Sequence, residues 1–325
     1  MRTRKLGGTG PDITTLGLGT WAVGGAYQFG WGPQEDADSI AAIRHAVEAG
    51  INWIDTAPAY GIGHSEEVVG RALEPWSPGE DVFVFTKCGR RLSPAGEPLT
   101  DLRPASIRAE CERSLDRLRI ERIDLYQFHW PDDMTGTPVE DSWATVAELI
   151  EEGKVRWAGV SNFDVERLER CERVRHVDSL QPPLSLINRA ARTRVIPWCR
   201  EHGTGVIAYS PMASGLLSGR FDSARVEALA ADDWRRRSPE FTEPRLARNV
   251  ELVDRLRPIA GDLGIDVPAL AVAWVLATEG VTGAIVGARR PDQIEGWISA
   301  GEVELSADDL AAIELAVEET GAGSE

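Results

Sequence analysis

The chain has 325 residues, of which 42% are hydrophobic and 27% charged, a composition typical of a globular protein with a substantial core. Its 52 acidic and 35 basic residues give a net charge of −17, which repels nucleic-acid phosphates and anionic membranes, so we expect neither as a partner. No apolar run reaches the roughly 18 residues that a membrane-spanning helix needs, and no signal-like segment follows the N-terminus. We therefore expect a cytoplasmic protein, whose oligomeric state the sequence leaves open.

The spacing of cysteine and histidine residues predicts no metal site. The four cysteines, Cys88, Cys111, Cys171 and Cys199, lie far apart and form no CxxC pair, so neither a zinc ribbon nor a redox dithiol is indicated. The five histidines form neither HExxH nor another spacing typical of zinc. We expect reduced structural thiols and no protein-bound metal.

Short runs of β-forming residues alternate along the chain with segments of helical periodicity. The predicted strands are residues 14–21, 51–55, 82–87, 123–129, 155–160, 179–181, 205–210 and 283–287. Helices are predicted around the shared face of Ile40, Ile43 and Val47 and at residues 65–73, 104–118, 138–152, 164–175, 192–202 and 291–299. The predicted N-caps in this set are Ser65 and Asp164.

These eight β/α units, with no Ser/Gly-rich linker between them, predict an α/β protein with a single (β/α)₈ TIM barrel domain over residues 1–325. A long loop after the seventh strand is expected to be a lid or a binding loop. The additions to the barrel are an N-terminal β-hairpin within residues 2–13 at the barrel bottom, that loop from Pro211 to about Pro244, and a C-terminal helix over residues 306–319 that begins with a capping box of Ser306 and Asp309.

A doubly wound nucleotide-binding sheet is the alternative fold. The spacing Gly17-x-Gly19-x-x-Ala22 resembles the dinucleotide-binding fingerprint. That fingerprint must open a helix directly, whereas residues 23–33, VGGAYQFGWGP, are predicted to form a loop. The barrel is therefore the favoured fold.

Polar residues stand at or just beyond the C-terminal ends of three consecutive predicted strands, where TIM barrels place their chemistry. Asp55 ends the second strand, and Tyr60 follows it on a Pro/Gly turn. Lys87 ends the third strand and His129 the fourth. Because neighbouring parallel strands lie about 4.8 Å apart, the four side chains can share one pocket.

These residue types suit proton transfer to a substrate. A free tyrosine, with a pKa near ~10, is a poor proton donor at neutral pH, and an ammonium within roughly 4–6 Å lowers that pKa. We predict that Tyr60 is the general acid and that Lys87 lowers its pKa. Asp55 would hold Lys87, and His129 would orient a substrate oxygen. The alternative is a structural ion pair beside ordinary packing residues.

These positions and the four motifs around and beyond them resemble the aldo-keto reductase family over about residues 2–320. The motifs are NWIDTAPAYG (52–61), GVSNF (159–163), AYSPMASGLLSGR (208–220) and VGARRPDQIEG (286–296). The resemblance implies a barrel that binds NADPH or NADP⁺ without a Rossmann domain and reduces small aldehydes or ketones to alcohols. By position, the catalytic tetrad would be Asp55, Tyr60, Lys87 and His129, with Tyr60 delivering the proton.

The same resemblance assigns cofactor contacts along the chain. Nicotinamide would be held by the residues that end strands five to seven, pyrophosphate by the loop after strand seven, and a 2′-phosphate by Arg289 and Arg290. Gln293 would contact adenine, because Gly296 and Trp297 stand where many relatives carry Glu-Asn. The full set is Thr20, Trp21, Asp55, Ser161, Asn162, Gln181, Tyr209, Ser210, Pro211, Met212, Gly215, Leu216, Gly219, Arg220, Gly287, Ala288, Arg289 and Gln293.

Aromatic residues dominate the expected substrate side, which suggests an apolar or ring-bearing carbonyl compound. Ordinary packing under loops is an equally good explanation. No charged residue is clearly placed to recognise a carboxylate or a sugar phosphate, and the basic cluster Arg235 to Arg237 is expected to be a solvated loop. The predicted substrate contacts are Trp21, Trp31, Tyr60, His129 and Trp130, with Trp234 in the long loop.

Two other functions stay open. A barrel hydrolase or isomerase would normally need a carboxylate pair or a metal cluster at the strand ends, and only Asp55 is evident there. A cofactor-bound regulatory subunit with slow turnover, like the β subunits of potassium channels that resemble this family, would keep the cofactor site.

Overall fold

The computed structural model describes residues 1–25, 30–93, 97–231 and 233–324. Within these residues, eight parallel strands form a closed barrel, which confirms the predicted fold. The strands are β1 (Thr3–Lys5), β2 (Asp12–Thr14), β3 (Leu16–Gly19), β4 (Trp53–Asp55), β5 (Phe83–Cys88), β6 (Arg90–Leu92), β7 (Pro98–Thr100), β8 (Ile123–Phe128), β9 (Val155–Ser161), β10 (Ser179–Gln181), β11 (Gly205–Tyr209) and β12 (Gly283–Gly287). The order of strands around the barrel is β10-β11-β12-β3-β4-β5-β8-β9.

Helices connect successive strands and cover the outside of the barrel. They are α1 (Asp36–Glu48), α2 (His64–Ala72), α3 (Pro104–Leu118), α4 (Val139–Glu151), α5 (Val165–Glu172), α6 (Val195–His202), α7 (Ser223–Glu227), α8 (Arg245–Asp262), α9 (Val267–Ala277), α10 (Pro291–Glu295) and α11 (Ala307–Thr320). The prediction of one helix over 291–299 is wrong, because α10 ends at Glu295 and a separate 3₁₀ turn spans Ile298–Gly301. In the described residues, no single helix is long and apolar enough to cross a bilayer; α8 and α9 pass such a test only as a pair bent by 86°.

The barrel is filled from its N-terminal end. Strands β1 and β2 pair as the predicted antiparallel hairpin, and Leu6 and Ile13 pack inside the barrel against Trp53. The indole Nε1 of Trp53 donates to the carbonyl of Thr14 at 2.8 Å. A Cβ at Gly17 would lie 2.2 Å from this indole, so glycine is needed there for the ring to cross the barrel. Closing this end leaves the opposite end for a cleft.

The predicted N-caps have different outcomes. Asp164 caps α5 as predicted and accepts from the backbone N–H of Arg167 at 2.9 Å. Ser65 is not a cap, because α2 begins one residue earlier, after Gly63 in a left-handed conformation with φ of 97°. The Ser65 hydroxyl instead donates to the carbonyl of Thr20 at 3.0 Å. The predicted capping box of Ser306 and Asp309 is present at the start of α11.

Two predicted loops are more ordered than expected. Trp21–Gly24 forms a 3₁₀ turn that overlaps the start of the expected loop 23–33. Residues 26–29 of that loop lie outside the described part of the chain. The 3₁₀ turn is not the long helix that a dinucleotide fingerprint opens, and β3 belongs to the closed barrel. The segment between β11 and α8 contains α7 and 3₁₀ turns at Ala213–Ser218, Trp234–Arg237 and Pro239–Phe241.

Candidate active site

A cleft of about 960 Å³ opens at the C-terminal ends of the barrel strands. The last residues of six strands line it: Gly19, Asp55, Ser161, Gln181, Tyr209 and Gly287. Because all strands of the barrel are parallel, their carboxyl ends share this one mouth. The candidate residues on strands and loops therefore meet in one place.

The four polar residues predicted at the strand ends do come together. The ammonium of Lys87 is fully buried and donates to Asp55 Oδ1 at 2.5 Å and to the carbonyl of Thr56 at 3.0 Å. It also donates to the hydroxyl of Tyr60 at 3.2 Å. The imidazole of His129 meets the Tyr60 ring edge-on, with 5.7 Å between ring centroids. One phenol thus lies between an ammonium and an imidazole.

Two glutamines complete the surroundings of the buried carboxylate. Asp55 Oδ2 accepts from Gln127 Nε2 at 3.1 Å and from Gln181 Nε2 at 2.9 Å. The two amides are also joined, because Gln181 Nε2 donates to Gln127 Oε1 at 3.0 Å. A buried carboxylate needs such donors to offset its lost hydration. Gln127 was missed in the sequence, although its position on β8, paired with Lys87 on β5, points to the same layer.

The pKa of Tyr60 is raised overall, and not lowered as the nearness of Lys87 led us to expect. Burial, and after it the carboxylate of Asp55, raise the pKa of Tyr60 well above its ordinary value. The short contact between Lys87 and Asp55 offsets the ammonium charge that was expected to favour the phenolate. Tyr60 is therefore a protonated phenol at neutral pH, which is the form that donates a proton.

His129 is a neutral imidazole in this setting. Burial, with the nearby charges of Lys87 and Arg90, lowers the pKa of His129 well below its ordinary value. A neutral imidazole carries one N–H donor and one acceptor nitrogen. Its Nδ1 atom is buried and has no hydrogen-bond partner within the described residues. A neutral His129 can position a carbonyl oxygen without competing with Tyr60 as an acid.

A chain of amides and hydroxyls continues from this group along the cleft. Ser161 Oγ donates to the carbonyl of Gln181 at 2.8 Å, and Asn162 Nδ2 donates to the carbonyl of His129 at 3.0 Å. The hydroxyl of Tyr209 donates to Asn162 Oδ1 at 2.9 Å. These groups, predicted to hold a nicotinamide, form an edge of donors and acceptors that suits a carboxamide.

Comparison with known proteins identifies the family. Residues 15–318 match the sequence model of the Aldo/keto reductase family. The chain belongs to this family. Aldo-keto reductase YhdN of Bacillus subtilis (strain 168) is 35% identical over 321 residues, which cover 98% of this chain and 95% of that protein. The NADH-specific methylglyoxal reductase of Escherichia coli (strain K12) is 33% identical over 318 residues, covering 94% of this chain and 95% of that protein.

A solved structure agrees with the sequence relatives. The glycerol dehydrogenase of Gluconobacter oxydans matches with a TM-score of 0.88 and 36% sequence identity, covering 98% of this chain and 95% of that one. The protein is thus an aldo-keto reductase, an oxidoreductase of a family that typically reduces small carbonyl compounds with a nicotinamide cofactor. The resemblance drawn from the sequence motifs is confirmed.

The loop after β11 gives this aldo-keto reductase a strained wall. Ser210, Ala213 and Ser214 have φ of 56°, 48° and 57°, and Gly215 has φ of 91°. Left-handed non-glycine residues in such a run are costly and tend to cluster where a backbone serves a ligand. Most of the predicted phosphate-loop residues line the cleft, namely Ser210, Pro211, Met212, Gly215 and Arg220. Two others do not: Leu216 is buried in the core, and the carbonyl of Gly219 accepts from Arg257.

The arginines predicted for the 2′-phosphate are already engaged by the protein. Arg289 donates from Nε to Gln34 Oε1 at 2.6 Å, from Nη1 to the carbonyl of Trp31 at 3.1 Å, and from Nη2 to the carbonyl of Pro33. Arg290 pairs with Asp292 at 3.0 Å and is more than half exposed. Arg289 therefore holds the loop that precedes α1, a role the sequence did not indicate.

The predicted cofactor residues at and after the ends of β3 and β12 also line the cleft. They are Thr20, Trp21, Gly287, Ala288, Arg289 and Gln293. Gln293 Oε1 accepts from the backbone N–H of Arg289 at 2.7 Å, which ties the start of α10 to the end of β12. Trp297 also borders the cleft but is only 2% exposed, as a core side chain would be.

Tryptophans surround the mouth of the reductase as predicted. Trp21, Trp31 and Trp130 line the cleft, and Trp234 stacks on Trp21 with 5.7 Å between ring centroids. Arg235 lies over the Trp31 ring at 4.7 Å and pairs with Asp233 at 2.6 Å, so the expectation that it belongs to a solvated loop is wrong. Burial against aromatic rings and a local carboxylate hold this arginine in place.

Proposed function

We propose that this aldo-keto reductase uses NADPH to reduce aldehydes or ketones to alcohols, with Tyr60 as the general acid. The observation that carries the proposal is the Tyr60 hydroxyl, which lies 3.2 Å from the ammonium of Lys87 and borders the cleft. A substrate carbonyl oxygen between Tyr60 and His129 would accept two hydrogen bonds, and these would strengthen as negative charge develops on it.

Each residue then has a defined part in the proton transfer. Tyr60 gives its proton to the carbonyl oxygen. Its raised pKa keeps the phenol protonated until that carbonyl oxygen becomes basic enough to accept the proton. Lys87 donates to the phenol oxygen and stabilises the negative charge that forms there. Asp55 holds Lys87, and Gln127 holds Asp55, so the ammonium cannot turn away from the phenol.

The cleft residues fit a nicotinamide cofactor at three places. Ser161, Asn162 and Gln181 offer donors and acceptors to a carboxamide, and Ser210 and Ser214, which line the cleft, offer hydroxyl groups to a pyrophosphate. When bound, the cofactor supplies the hydride for the carbonyl carbon. Trp21 and Tyr209 present rings to the cleft, where they would exclude water from the reacting groups.

The preference for NADPH over NADH rests on the positive charge at the far end of the cleft. Within the described residues Arg289 bonds only neutral oxygens, so its charge stays available to a 2′-phosphate. Arg220, which lines the cleft, is exposed and has no ion-pair partner in the described part of the chain. We also propose that the chain folds as one domain over residues 1–325, since β1 and β2 close the barrel and α11 packs on α8.

The proposal is tested by replacing Tyr60 with Phe, which removes the proton and keeps the ring. We expect Tyr60→Phe to lower kcat for 4-nitrobenzaldehyde by roughly 10³-fold, the range of general acid catalysis, with NADPH affinity within about twofold of wild type. NADPH oxidation and fluorescence titration measure the two quantities. The matched control is Tyr126→Phe, which removes a buried hydroxyl bonded to the carbonyl of Ile107 and should leave kcat unchanged.

Two results would overturn parts of this proposal. Equal kcat for Tyr60→Phe and wild type would exclude Tyr60 as the proton donor. Tight NADPH binding with almost no turnover of any aldehyde by the wild-type protein would favour a cofactor-bound regulatory subunit instead. Absence of NADPH binding would exclude the proposed cofactor.

A further inference from the structure

One arginine in the cleft, Arg90, has no carboxylate partner in the part of the chain that the structure describes. Arg90 begins the β6–β7 hairpin that follows β5, and its side chain lines the cleft. Within the described residues it makes one side-chain hydrogen bond, from Nη1 to Thr100 Oγ1 at 3.2 Å, and no ion pair. No motif or periodicity singles out Arg90, because only the hairpin decides which way its side chain points.

Several other arginines of the chain are paired with carboxylates, whereas Arg90, like Arg220 and Arg289, is not paired within the described residues. Arg91 pairs with Asp101 at 2.5 Å, Arg117 with Glu66 at 2.6 Å, and Arg235 with Asp233 at 2.6 Å. The chain has 52 acidic against 35 basic residues, so carboxylates are abundant. A half-buried guanidinium that none of them neutralises retains its full charge toward the cleft.

Strand geometry places this charge beside the reacting groups. Cys88 on β5 pairs with Phe128 on β8, and the backbone N–H of His129 donates to the carbonyl of Cys88 at 3.0 Å. Arg90 leaves the barrel just after this contact, and its guanidinium lies over the ring of Trp130 at 5.8 Å. Trp130 is 42% exposed, so an aromatic surface and a positive charge adjoin each other on the His129 side of the cleft.

We propose that Arg90 is a specificity-determining residue that binds the carboxylate of an anionic substrate, an aldehyde or ketone acid whose carbonyl lies beside Tyr60 and His129. This inference rests on the proposed reductase function and names its substrate class. The fork of a guanidinium matches a carboxylate in geometry, and the face of Trp130 suits the apolar body of such a molecule. It departs from the expectation that no charged residue is clearly placed to recognise a carboxylate.

The strong net negative charge of the protein is a further reason why an anionic substrate would need Arg90. A net charge of −17 disfavours the approach of an anion, so a substrate of this class needs a local cation to bind. Arg90 is also near enough to His129 to help keep that imidazole neutral. One residue therefore attracts the anion and leaves His129 free to bond the carbonyl oxygen.

The test compares two aldehydes that share the same ring and differ in charge and in one methyl group, 4-carboxybenzaldehyde and methyl 4-formylbenzoate. For wild type and Arg90→Met, kcat/KM is measured for both with NADPH. We expect Arg90→Met to lower the acid-to-ester ratio of kcat/KM by about tenfold or more, mainly through KM, because it removes a charged hydrogen-bonding partner. Arg90→Lys should recover part of the ratio, since lysine keeps the charge and loses the fork.

Arg91→Met is the matched control. It removes the same charge from the neighbouring residue of the same hairpin, but that charge is already neutralised by Asp101, which keeps Arg103 as a second partner. We expect the acid-to-ester ratio to stay within about twofold of wild type. An equal loss in both Met variants would mean that net charge, not the position of Arg90, sets the preference, and would overturn the proposal.

Other outcomes separate this proposal from the reductase function itself. An unchanged ratio in Arg90→Met, or an equal fall for acid and ester, would reject Arg90 as a carboxylate site while the reductase function stands. If wild type reduces neither aldehyde, calorimetric titration of 4-(hydroxymethyl)benzoate into the NADP⁺-loaded protein decides. Binding that Arg90→Met weakens would support the anion site alone, and binding that it leaves unchanged, or no binding, would reject it.

Discussion

The two ends of the cleft are built differently. At one end, Lys87 and Asp55 are almost fully buried on strands β5 and β4, and every contact between them lies inside the barrel mouth. At the other end, Arg289 and Arg290 lie on the loop between β12 and α10, and bond neighbouring loop carbonyls or an exposed carboxylate. Strands hold the first group, and loops hold the second.

Because of this difference, we expect the strand end of the cleft to contribute to the stability of the fold and the loop end to contribute to cofactor affinity. Removing one partner of a buried ion pair leaves the other charge without compensation, so the strand end should be costly to change. Exposed or loop-bound charges are screened by water and contribute little to stability, but they can still contribute to ligand affinity. Substitutions at the strand end should therefore affect unfolding, and those at the loop end should affect the cofactor.

The largest effect is expected for Lys87→Met, which leaves the carboxylate of Asp55 buried without a counterion. We expect the free energy of unfolding at pH 7 to fall by about 3 kcal/mol or more, measured by urea unfolding with tryptophan fluorescence. Asp55→Asn in the same chain should recover part of the loss, because it removes the unpaired charge. Lys154→Met, which breaks an exposed pair with Glu112, should leave the midpoint unchanged. If the urea midpoint of Lys87→Met equals that of wild type, the ion pair of Lys87 and Asp55 contributes nothing to stability.

An intermediate effect is expected at Glu110 on α3, a carboxyl group that borders the cleft and is only 2% exposed. Burial raises the pKa of Glu110 to about 7, although it accepts from the N–H of Gly89 and the hydroxyl of Ser106. The unfolded chain loses this proton at a lower pH than the folded chain, so the contribution of Glu110 to stability decreases between its unfolded pKa and about pH 7.

Glu110→Gln removes this dependence on pH. We expect the variant to gain roughly 2 kcal/mol over wild type at pH 8 and almost nothing at pH 4, measured by unfolding in urea at both values. Asp116→Asn, at an exposed position of the same helix, is the control. Its difference in unfolding free energy from wild type should be the same at both pH values. A constant difference at both pH values would mean that Glu110 stays charged in the folded protein.

The smallest effect is expected at the loop end, for Arg289→Ala combined with Arg290→Ala. We expect the preference for NADPH over NADH, taken from dissociation constants in fluorescence titrations, to fall about tenfold, or roughly 1.4 kcal/mol. Arg200→Ala with Arg255→Ala removes two charges from outside the cleft and should leave the ratio unchanged. An unchanged ratio in the first double variant would remove both arginines from the 2′-phosphate site.

Much of the fold could be predicted because it repeats a local pattern. Most barrel strands are short apolar runs, and most connecting helices show one apolar face, as in Ile107, Cys111 and Leu115. The hydrogen-bond partner of a polar side chain was harder to predict where residues distant in the sequence could also bond it. Ser65 has the residue type of an N-cap, but its hydroxyl bonds the carbonyl of Thr20, which is 45 positions away in the chain.

The sequence by itself determined the eight-stranded barrel and the meeting of Asp55, Tyr60, Lys87 and His129 at its mouth, because both follow from apolar periodicity and from the parallel direction of the strands. Only the tertiary structure decided the charge state of that group and the surroundings of Arg90. A pKa depends on burial and on every neighbouring charge, and an arginine is neutralised or left charged by residues far along the chain. Neither quantity has a local pattern in the sequence.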